Sequence, residues 1–168
     1  MATELYDLTA PVFLRGLRNL KHILEKGEAF AADKGIDPAT LTGARLIEDM
    51  HPLTNQVQRV SDSAKNCMAR LAGEDAPAMP DEEQTFEELK ARLDRTIAYV
   101  ESIRPEQING QEQRDVVLKF PNGQFDFKGL DYVLSFALPN FYFHVTTTYA
   151  LLRQAGVPIG KTDYIAGR

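Results

Sequence analysis

The chain has 168 residues, 43% of them hydrophobic and 26% charged, so it is long and apolar enough to bury one core. Its net charge of −5, with no Lys/Arg cluster, argues against nucleic-acid binding, and its single cysteine excludes a disulfide framework and thiolate-rich metal sites. Because it shows neither a membrane-span-length apolar run nor a signal-peptide pattern, we expect one cytoplasmic domain over residues 1–168 with no membrane partner.

The first predicted helix runs from about Ala2 to Lys34, and Gly35 is a natural stop. Its apolar residues repeat at helical spacing and form one seam, namely Phe13, Leu17, Leu20 and Leu24. Pro11 either kinks this helix or lies in a first turn after Thr9. Asp37 and Pro38 then predict a short capped turn.

The second predicted helix begins near His51 and Pro52 and ends at Gly73. Its seam alternates three- and four-residue spacing, as in helix bundles: Leu53, Val57, Val60, Ala64, Cys67 and Leu71. Cys67 is therefore expected to be a small buried apolar residue and not a reactive thiol. The acidic run Asp81–Glu83 is expected to be solvated, just before the third helix.

A capping box from Thr85 to Glu88 predicts the start of the third helix, which should stop before Pro105. The residues that follow alternate as strands do, and PNG between them is a turn, so a hairpin is expected near Val116–Phe127. The last helix should run from about Gly129 to Ala155, with Pro139 kinking or dividing it. The tail from Val157 onward is expected to be irregular.

Four helices of this length predict an all-α fold, a four-helix bundle with a short β-hairpin-like insertion between helices three and four. The alternative is a pair of helical hairpins that closes only when two chains associate. The last helix is apolar on nearly every side, which is typical of a central or interface helix. We therefore expect a homodimer.

One strip of the last helix is polar nonetheless. Asn140, His144, Thr147 and Thr148 lie within about 50° of one line on the helix surface. Because the remaining faces are apolar, the strip should face protein, where polar groups need partners. His144 is then either a hydrogen-bonded core residue or part of a pocket, whereas His22 and His51 fall on the sides of their helices that should face solvent.

Three segments carry a resemblance to a known family: LTNQVQ in the second helix, RLAG at its end, and FALPNFYFHVTTTYALLRQAGVPIGKTDY near the C-terminus. With these segments the chain resembles the DinB superfamily of four-helix bundles, and within it a bacterial and fungal family of unassigned function. The resemblance covers nearly the whole chain, and the C-terminal segment is the most specific of the three.

The resemblance also implies where a metal would be held. Typical DinB-like proteins bind a divalent metal with one histidine of helix two and an H-x-x-x-H pair of helix four, positions that correspond here to Gln56, Asn140 and His144. Only one imidazole remains, and neutral amides are poor ligands for zinc or nickel. We therefore expect a degenerate metal site and no cofactor.

Three functions follow from these observations. The first is a small-molecule pocket in the core, with His144 as the titrating and tentatively catalytic group and Asn140, Thr147, Thr148 and Gln56 as orienting groups. The second, implied by the resemblance, is a metal-dependent thiol transferase or isomerase. The third is a non-catalytic dimeric bundle. The first is preferred, with an unknown small molecule as partner, and the sequence does not decide whether the protein is an enzyme.

Overall fold

The computed structural model describes residues 3–167, which are mostly helical and include one small antiparallel sheet. The elements in chain order are α1 (Ala10–Lys34), α2 (Pro38–Thr42), α3 (Leu53–Ala72), α4 (Phe86–Ser102), α5 (Pro105–Ile108), β1 (Asp115–Phe120), β2 (Gly123–Lys128), α6 (Gly129–Asp131), a π-helical segment (Tyr132–Ala137), α7 (Leu138–Gln154) and α8 (Lys161–Ala166).

The helix ends follow local signals in the sequence. Gly35 and Gly73 close α1 and α3 in the left-handed conformation, with φ of 62° and 73°. Thr85 and Glu88 form the expected capping box at α4. The start of α1 differs from the prediction: residues 5–9 form turns, the helix begins after Thr9, and the predicted Ala2 lies outside the described residues.

The four long helices pack in pairs around one apolar core. α3 packs most extensively against α7, α1 against α4, and both α3–α4 and α1–α7 are also in contact. The predicted seams supply this core, including Phe13, Leu17, Val57 and Cys67, which are fully buried. Across residues 3–167, no helix has the length and apolar character needed to cross a membrane.

Pro139 lies in the first turn of α7 and not in its interior, and the helix is irregular just before this proline. Six residues, Tyr132–Ala137, adopt a π-helical conformation, and α7 begins at Leu138, so Pro139 occupies the first turn. A proline is tolerated there because the first turn has no intrahelical acceptor for its missing N–H. The single predicted helix is therefore three consecutive pieces, and the π-helical piece turns Tyr132 and Val133 into the core.

The hairpin strands β1 and β2 pair from Asp115 with Lys128 to Phe120 with Gly123. β1 alternates between buried and exposed side chains, because Val116 and Leu118 face the core, whereas most of β2 is exposed. The turn glycine, Gly123, has a φ of 146°, which favours glycine at this position. One face of β1 therefore packs on the core, whereas β2 lies at the surface.

The C-terminal tail is not irregular as predicted, since Lys161–Ala166 forms α8 against α1. Asp163 accepts hydrogen bonds from the backbone N–H of Gly160 at 2.7 Å and from Lys26 Nζ at 2.5 Å. Its carboxylate also lies 3.1 Å from His22 Nε2. The Lys26 ammonium holds the pKa of Asp163 well below its usual range. His22 is thus partly covered, which corrects the prediction that it faces solvent, because α8 folds over that side of α1.

Candidate functional site

His144 and Gln56 meet directly across the α3–α7 interface. His144 Nδ1 lies 2.7 Å from Gln56 Oε1, and Gln56 Nε2 donates to the carbonyl of His51 at 3.0 Å. Because the Gln56 oxygen faces the ring, Nδ1 carries the proton and Nε2 keeps its lone pair. Gln56 is buried and His144 is half-buried, so the pair fixes the imidazole while part of the ring stays accessible.

Asn140 is held by a different residue of α3. Its Nδ2 donates to Ser63 Oγ at 2.7 Å, and Ser63 Oγ donates to the carbonyl of Arg59 at 2.7 Å. The Gln56–His144 and Ser63–Asn140 contacts run in opposite directions along the two helices, which shows that α3 and α7 are antiparallel. The Asn140 oxygen keeps no protein donor within the described residues.

The two threonines of the polar strip are satisfied within α7. Thr147 Oγ1 donates to the carbonyl of Phe143 at 2.7 Å, and Thr148 Oγ1 donates to the carbonyl of His144 at 2.9 Å. Thr148 is fully buried, whereas Thr147 borders a shallow surface depression beside Phe143. The strip predicted as one cavity wall is therefore divided, with each member in a different environment.

Burial, together with the positive charges of Arg59 and His51, lowers the pKa of His144 from its ordinary value of 6.5 to about 4. The imidazole is thus neutral at physiological pH. A neutral ring protonated at Nδ1 can accept a hydrogen bond at Nε2, but it is a poor proton donor and only a weak base near neutral pH.

The residues that the resemblance aligns with the DinB metal ligands, Gln56, Asn140 and His144, do not fit a transition metal. Gln56 and Asn140 contribute neutral amides, and both amides are already engaged, Gln56 with His144 and Asn140 with Ser63. Within residues 3–167 no three His, Cys, Asp or Glu side chains lie close enough together to hold a metal ion. The donor set here is therefore one imidazole and two carboxamides.

Neither Cys67 nor His51 adds a chemical group to this region. Cys67 is fully buried, and burial raises the pKa of its thiol to about 12, so it is protonated and unreactive as expected. His51 is exposed before α3, as its position in the sequence predicts, and it acts on the site through its carbonyl, which accepts from Gln56, and through its part in lowering the pKa of His144.

A cleft of about 230 Å³ opens beside Asn140, between α3, the π-helical segment and β1. The α3 wall is a polar stripe, Arg59, Ser63, Asn66 and Arg70, whose spacing of four, three and four residues places them on one side of the helix, and Asp62 lines the cleft beside Arg59. Tyr132, Phe136 and Asn140 form the opposite wall, and β1 closes one side. His144 and Gln56 do not line this cleft.

The sequence analysis missed this stripe because each member precedes a core residue by one position: Arg59, Ser63, Asn66 and Arg70 precede Val60, Ala64, Cys67 and Leu71. The 4–3–4 spacing of two arginines, a serine and an asparagine was a readable signal. What the sequence did not show is that β1 faces this side of α3 across the cleft, so that an ordinary polar helix surface becomes one of its walls.

A second feature missed by the sequence analysis is a buried ionic cluster. Arg92 of α4 is fully buried and pairs with Asp62 at 2.9 Å, Asp81 at 3.0 Å and Glu83 at 3.0 Å. The prediction that Asp81–Glu83 is solvated is therefore wrong for Glu83, which is only 7% exposed and also accepts from Gln58 at 3.0 Å. Glu83 lies inside because it neutralises a buried guanidinium, whereas Asp62 and Asp81 reach Arg92 from nearer the surface.

Comparison with known proteins places these features in context. A family described as "Domain of unknown function (DUF1993)" matches residues 5–165. The chain is similar to a solved DinB family member from Shewanella denitrificans, with a TM-score of 0.88 and 37% sequence identity over 96% of this chain and 92% of that one. No curated protein gives a significant match. The similarity spans almost the full length of both chains, so the DinB-like resemblance is confirmed.

Proposed function

This chain belongs to the DUF1993 family, and from that premise we propose that it is a DinB-like protein that binds a small molecule in the cleft between α3, the π-helical segment and β1. The observation that carries the proposal is the cleft itself, where hydrogen-bonding and cationic groups converge with aromatic side chains. A concave site with an apolar wall and a few fixed polar groups is the usual form of a small-molecule site.

The proposal includes the architecture around the site. We propose that residues 1–168 form one domain, in which α1, α3, α4 and α7 make a four-helix bundle of the DinB type and the hairpin is an insertion before its last helix. Support comes from the packing of these four helices in adjacent pairs, from their common core and from the family match over residues 5–165.

Of the site residues predicted from the sequence, Asn140 lines the cleft, and the others take part in this proposal through the α3–α7 contact beside it. Asn140 contacts the ligand with its free oxygen, while Ser63 holds its amide. Gln56, Thr147 and Thr148 frame His144 from α3 and α7, and the neutral imidazole serves as a hydrogen-bond acceptor. Gln56, Asn140 and His144 together are proposed to be a degenerate metal site. Because His144 is a weak base, ligand binding is favoured over acid–base catalysis.

We also propose that the protein is a homodimer, the third function considered from the sequence and one compatible with the first. Apolar side chains at the start and middle of the last helical region are exposed, with Leu134 50% and Phe143 54% accessible. Large apolar side chains grouped at a surface are typical of a protein–protein interface.

The test is a screen of small neutral and charged fragments by saturation-transfer NMR. Asn66 lines the cleft and is only partly buried, and within residues 3–167 its side chain has one hydrogen bond, accepted from Lys65 at 3.3 Å, so Asn66→Trp should fill the cleft without disturbing the core. Gln84→Trp adds the same aromatic side chain at an exposed position outside the cleft.

The proposal predicts that fragments bind wild-type protein and Gln84→Trp alike and lose their signal on Asn66→Trp. If the hits are unaffected by Asn66→Trp, or if no fragment binds the wild-type protein, the cleft is not a small-molecule site.

A further inference from the structure

The cleft contains an arginine whose charge no carboxylate neutralises. Among the described residues no Asp or Glu pairs with Arg70, and its only hydrogen bond is donated by Nη1 to the hydroxyl of Tyr132 at 2.8 Å. Glu74 follows one turn later on the chain but accepts instead from the Tyr99 hydroxyl at 2.7 Å. Arg70 is half-buried, so its charge is only partly screened by solvent.

Arg70 is also held in place. Its guanidinium carbon lies 5.8 Å from the centre of the Tyr132 ring, within the range of a cation–π contact, and Tyr132 is itself almost fully buried. Tyr132 accepts from Arg70 and has no protein acceptor for its own hydroxyl proton within residues 3–167. Two donors, the remaining guanidinium N–H groups and the phenol, are therefore fixed side by side and can serve one acceptor group.

Arg59, at the other end of the polar stripe, provides a contrast. Two carboxylates lie near it, Asp62 at 3.7 Å and Asp81 at 3.9 Å, and both also pair with Arg92. The two arginines are about 16 Å apart along the axis of α3, from the rise of 1.5 Å per residue. The Arg70 end is thus the more electropositive part of the cleft. Lys119 of β1 also lines the cleft and adds a further positive charge.

The walls next to these donors are apolar. Phe136 stacks on Tyr132 with ring centres 6.0 Å apart, and Leu118 and Phe120 of β1 complete this part of the cleft. An engineered apolar cavity of about 150 Å³ holds benzene, so a cleft of about 230 Å³ has room for one aromatic ring with a charged substituent.

We propose that the cleft binds a small carboxylate with a planar apolar body, its carboxylate on Arg70 and the Tyr132 hydroxyl and its body between Phe136 and β1. The planar fork of a guanidinium matches a carboxylate, and a compact inorganic anion would leave the aromatic wall unused. This inference rests on the proposed small-molecule function and adds the chemical class of the ligand.

The experiment compares benzoate with benzamide, a neutral molecule of the same shape, by NMR titration of the wild-type chain. Benzoate is expected to bind at least about tenfold more tightly than benzamide. Arg70→Gln should reduce benzoate affinity about tenfold and leave benzamide affinity unchanged. Arg70→Lys keeps the charge but not the planar fork, so its benzoate affinity should lie between those of wild type and Arg70→Gln.

Arg18→Gln is the matched control, and it should leave benzoate affinity unchanged because Arg18 is exposed on α1, outside the cleft, and pairs with Glu101. Circular dichroism melts of each variant check that the fold is kept. Inorganic phosphate, titrated in parallel, should bind more weakly than benzoate.

The ligand class would be overturned if benzamide bound as well as benzoate, if Arg70→Gln left benzoate affinity unchanged, or if phosphate bound best. These results differ from failure of the proposed function. If neutral fragments still lost binding on Asn66→Trp, the cleft would remain a small-molecule site with another ligand class. If Asn66→Trp affected no fragment, both proposals would fall.

Discussion

The contacts of His144 at the α3–α7 interface determine its protonation state. Its Nδ1 proton is donated to Gln56, and Gln56 is anchored in turn by the carbonyl of His51. Burial and the charge of Arg59 then keep the ring neutral. The imidazole therefore contributes to packing and hydrogen bonding across α3 and α7, and its protonation is unfavourable in the folded state.

This neutral state makes stability depend on pH. The pKa of His144 is about 4 in the folded protein, against 6.5 ordinarily, so the unfolded chain binds a proton between these values that the folded chain does not. Stability contributed by the ring is present above pH 6.5 and is lost as pH falls through 4. His144→Gln should reduce the stability lost between pH 7 and pH 4 by about 1–2 kcal/mol, a discounted figure because the ring is partly exposed.

Urea unfolding of wild type and His144→Gln across this pH range measures the effect. His51→Gln removes one of the groups that lower the pKa of His144, and it should change the curve much less than His144→Gln because burial, the largest cause, remains. A His144→Gln curve parallel to that of wild type at every pH would mean that the ring is not held neutral.

Arg92 is a second residue whose role depends on its partners. It is fully buried, and its removal takes the closest cation from the buried Glu83, which within the described residues keeps only Arg95 at 3.4 Å, while Asp62 keeps Lys65 at 3.0 Å. Arg92→Met should therefore lower the free energy of unfolding by about 3–5 kcal/mol. Arg95→Met removes an exposed arginine that contacts the same Glu83 at 3.4 Å and should cost at most about 1 kcal/mol. Equal losses in the two variants, measured by chemical denaturation, would contradict a buried ionic cluster.

The elements are brought together by close approaches that single small residues permit. At Gly16 of α1, an added Cβ would lie 2.5 Å from the ring of Phe141 on α7, and Phe13 packs edge-on against the same ring at 5.0 Å between ring centres. α1 therefore approaches α7 through a glycine, and the aromatic ring fills the space that a side chain would occupy.

Gly16→Ala should overpack this contact. A helix interior gains about 0.5–1 kcal/mol from Gly→Ala, but the collision with Phe141 should cost about 1–3 kcal/mol, so the expected result is net destabilisation. Glu25→Ala, at an exposed site of the same helix, should change stability by no more than about 0.5 kcal/mol. A higher melting temperature for Gly16→Ala would show that Phe141 yields easily.

Local signals explain which elements were predictable from the sequence. The stop at Gly35, the capping box at Thr85 and the hairpin turn at Gly123 each depend on residues near one another in the chain. The pairing of Asp163 with His22 and of Arg92 with Asp62 joins residues far apart in sequence. The position of His144 opposite Gln56 was accessible only through the family resemblance, and the cleft required knowing that β1 faces α3.

At the scale of the whole molecule, exposed aromatic and apolar side chains extend over the hairpin and the last helical region, among them Phe125, Leu134 and Phe143. A homodimer would cover part of this surface, and we expect light scattering to give about twice the chain mass of 18.8 kDa. Phe143→Ser should shift the mass measured by light scattering toward that of the monomer. Phe125→Ser makes the same change on the hairpin and serves as the comparison. A mass that stays at 18.8 kDa at every concentration would contradict dimer formation.

If the cleft between α3, the π-helical segment and β1 is the binding site, a small molecule should perturb the residues that line it. Benzoate, benzamide and the fragments from the screen can be titrated into ¹⁵N-labelled protein while the backbone amide shifts are followed. The account predicts that the largest shifts fall in residues 59–70, 118–120 and 132–140. Binding that shifts other regions instead, such as the depression beside Tyr142 and Tyr164, or no saturable shifts with any of these compounds, would contradict it.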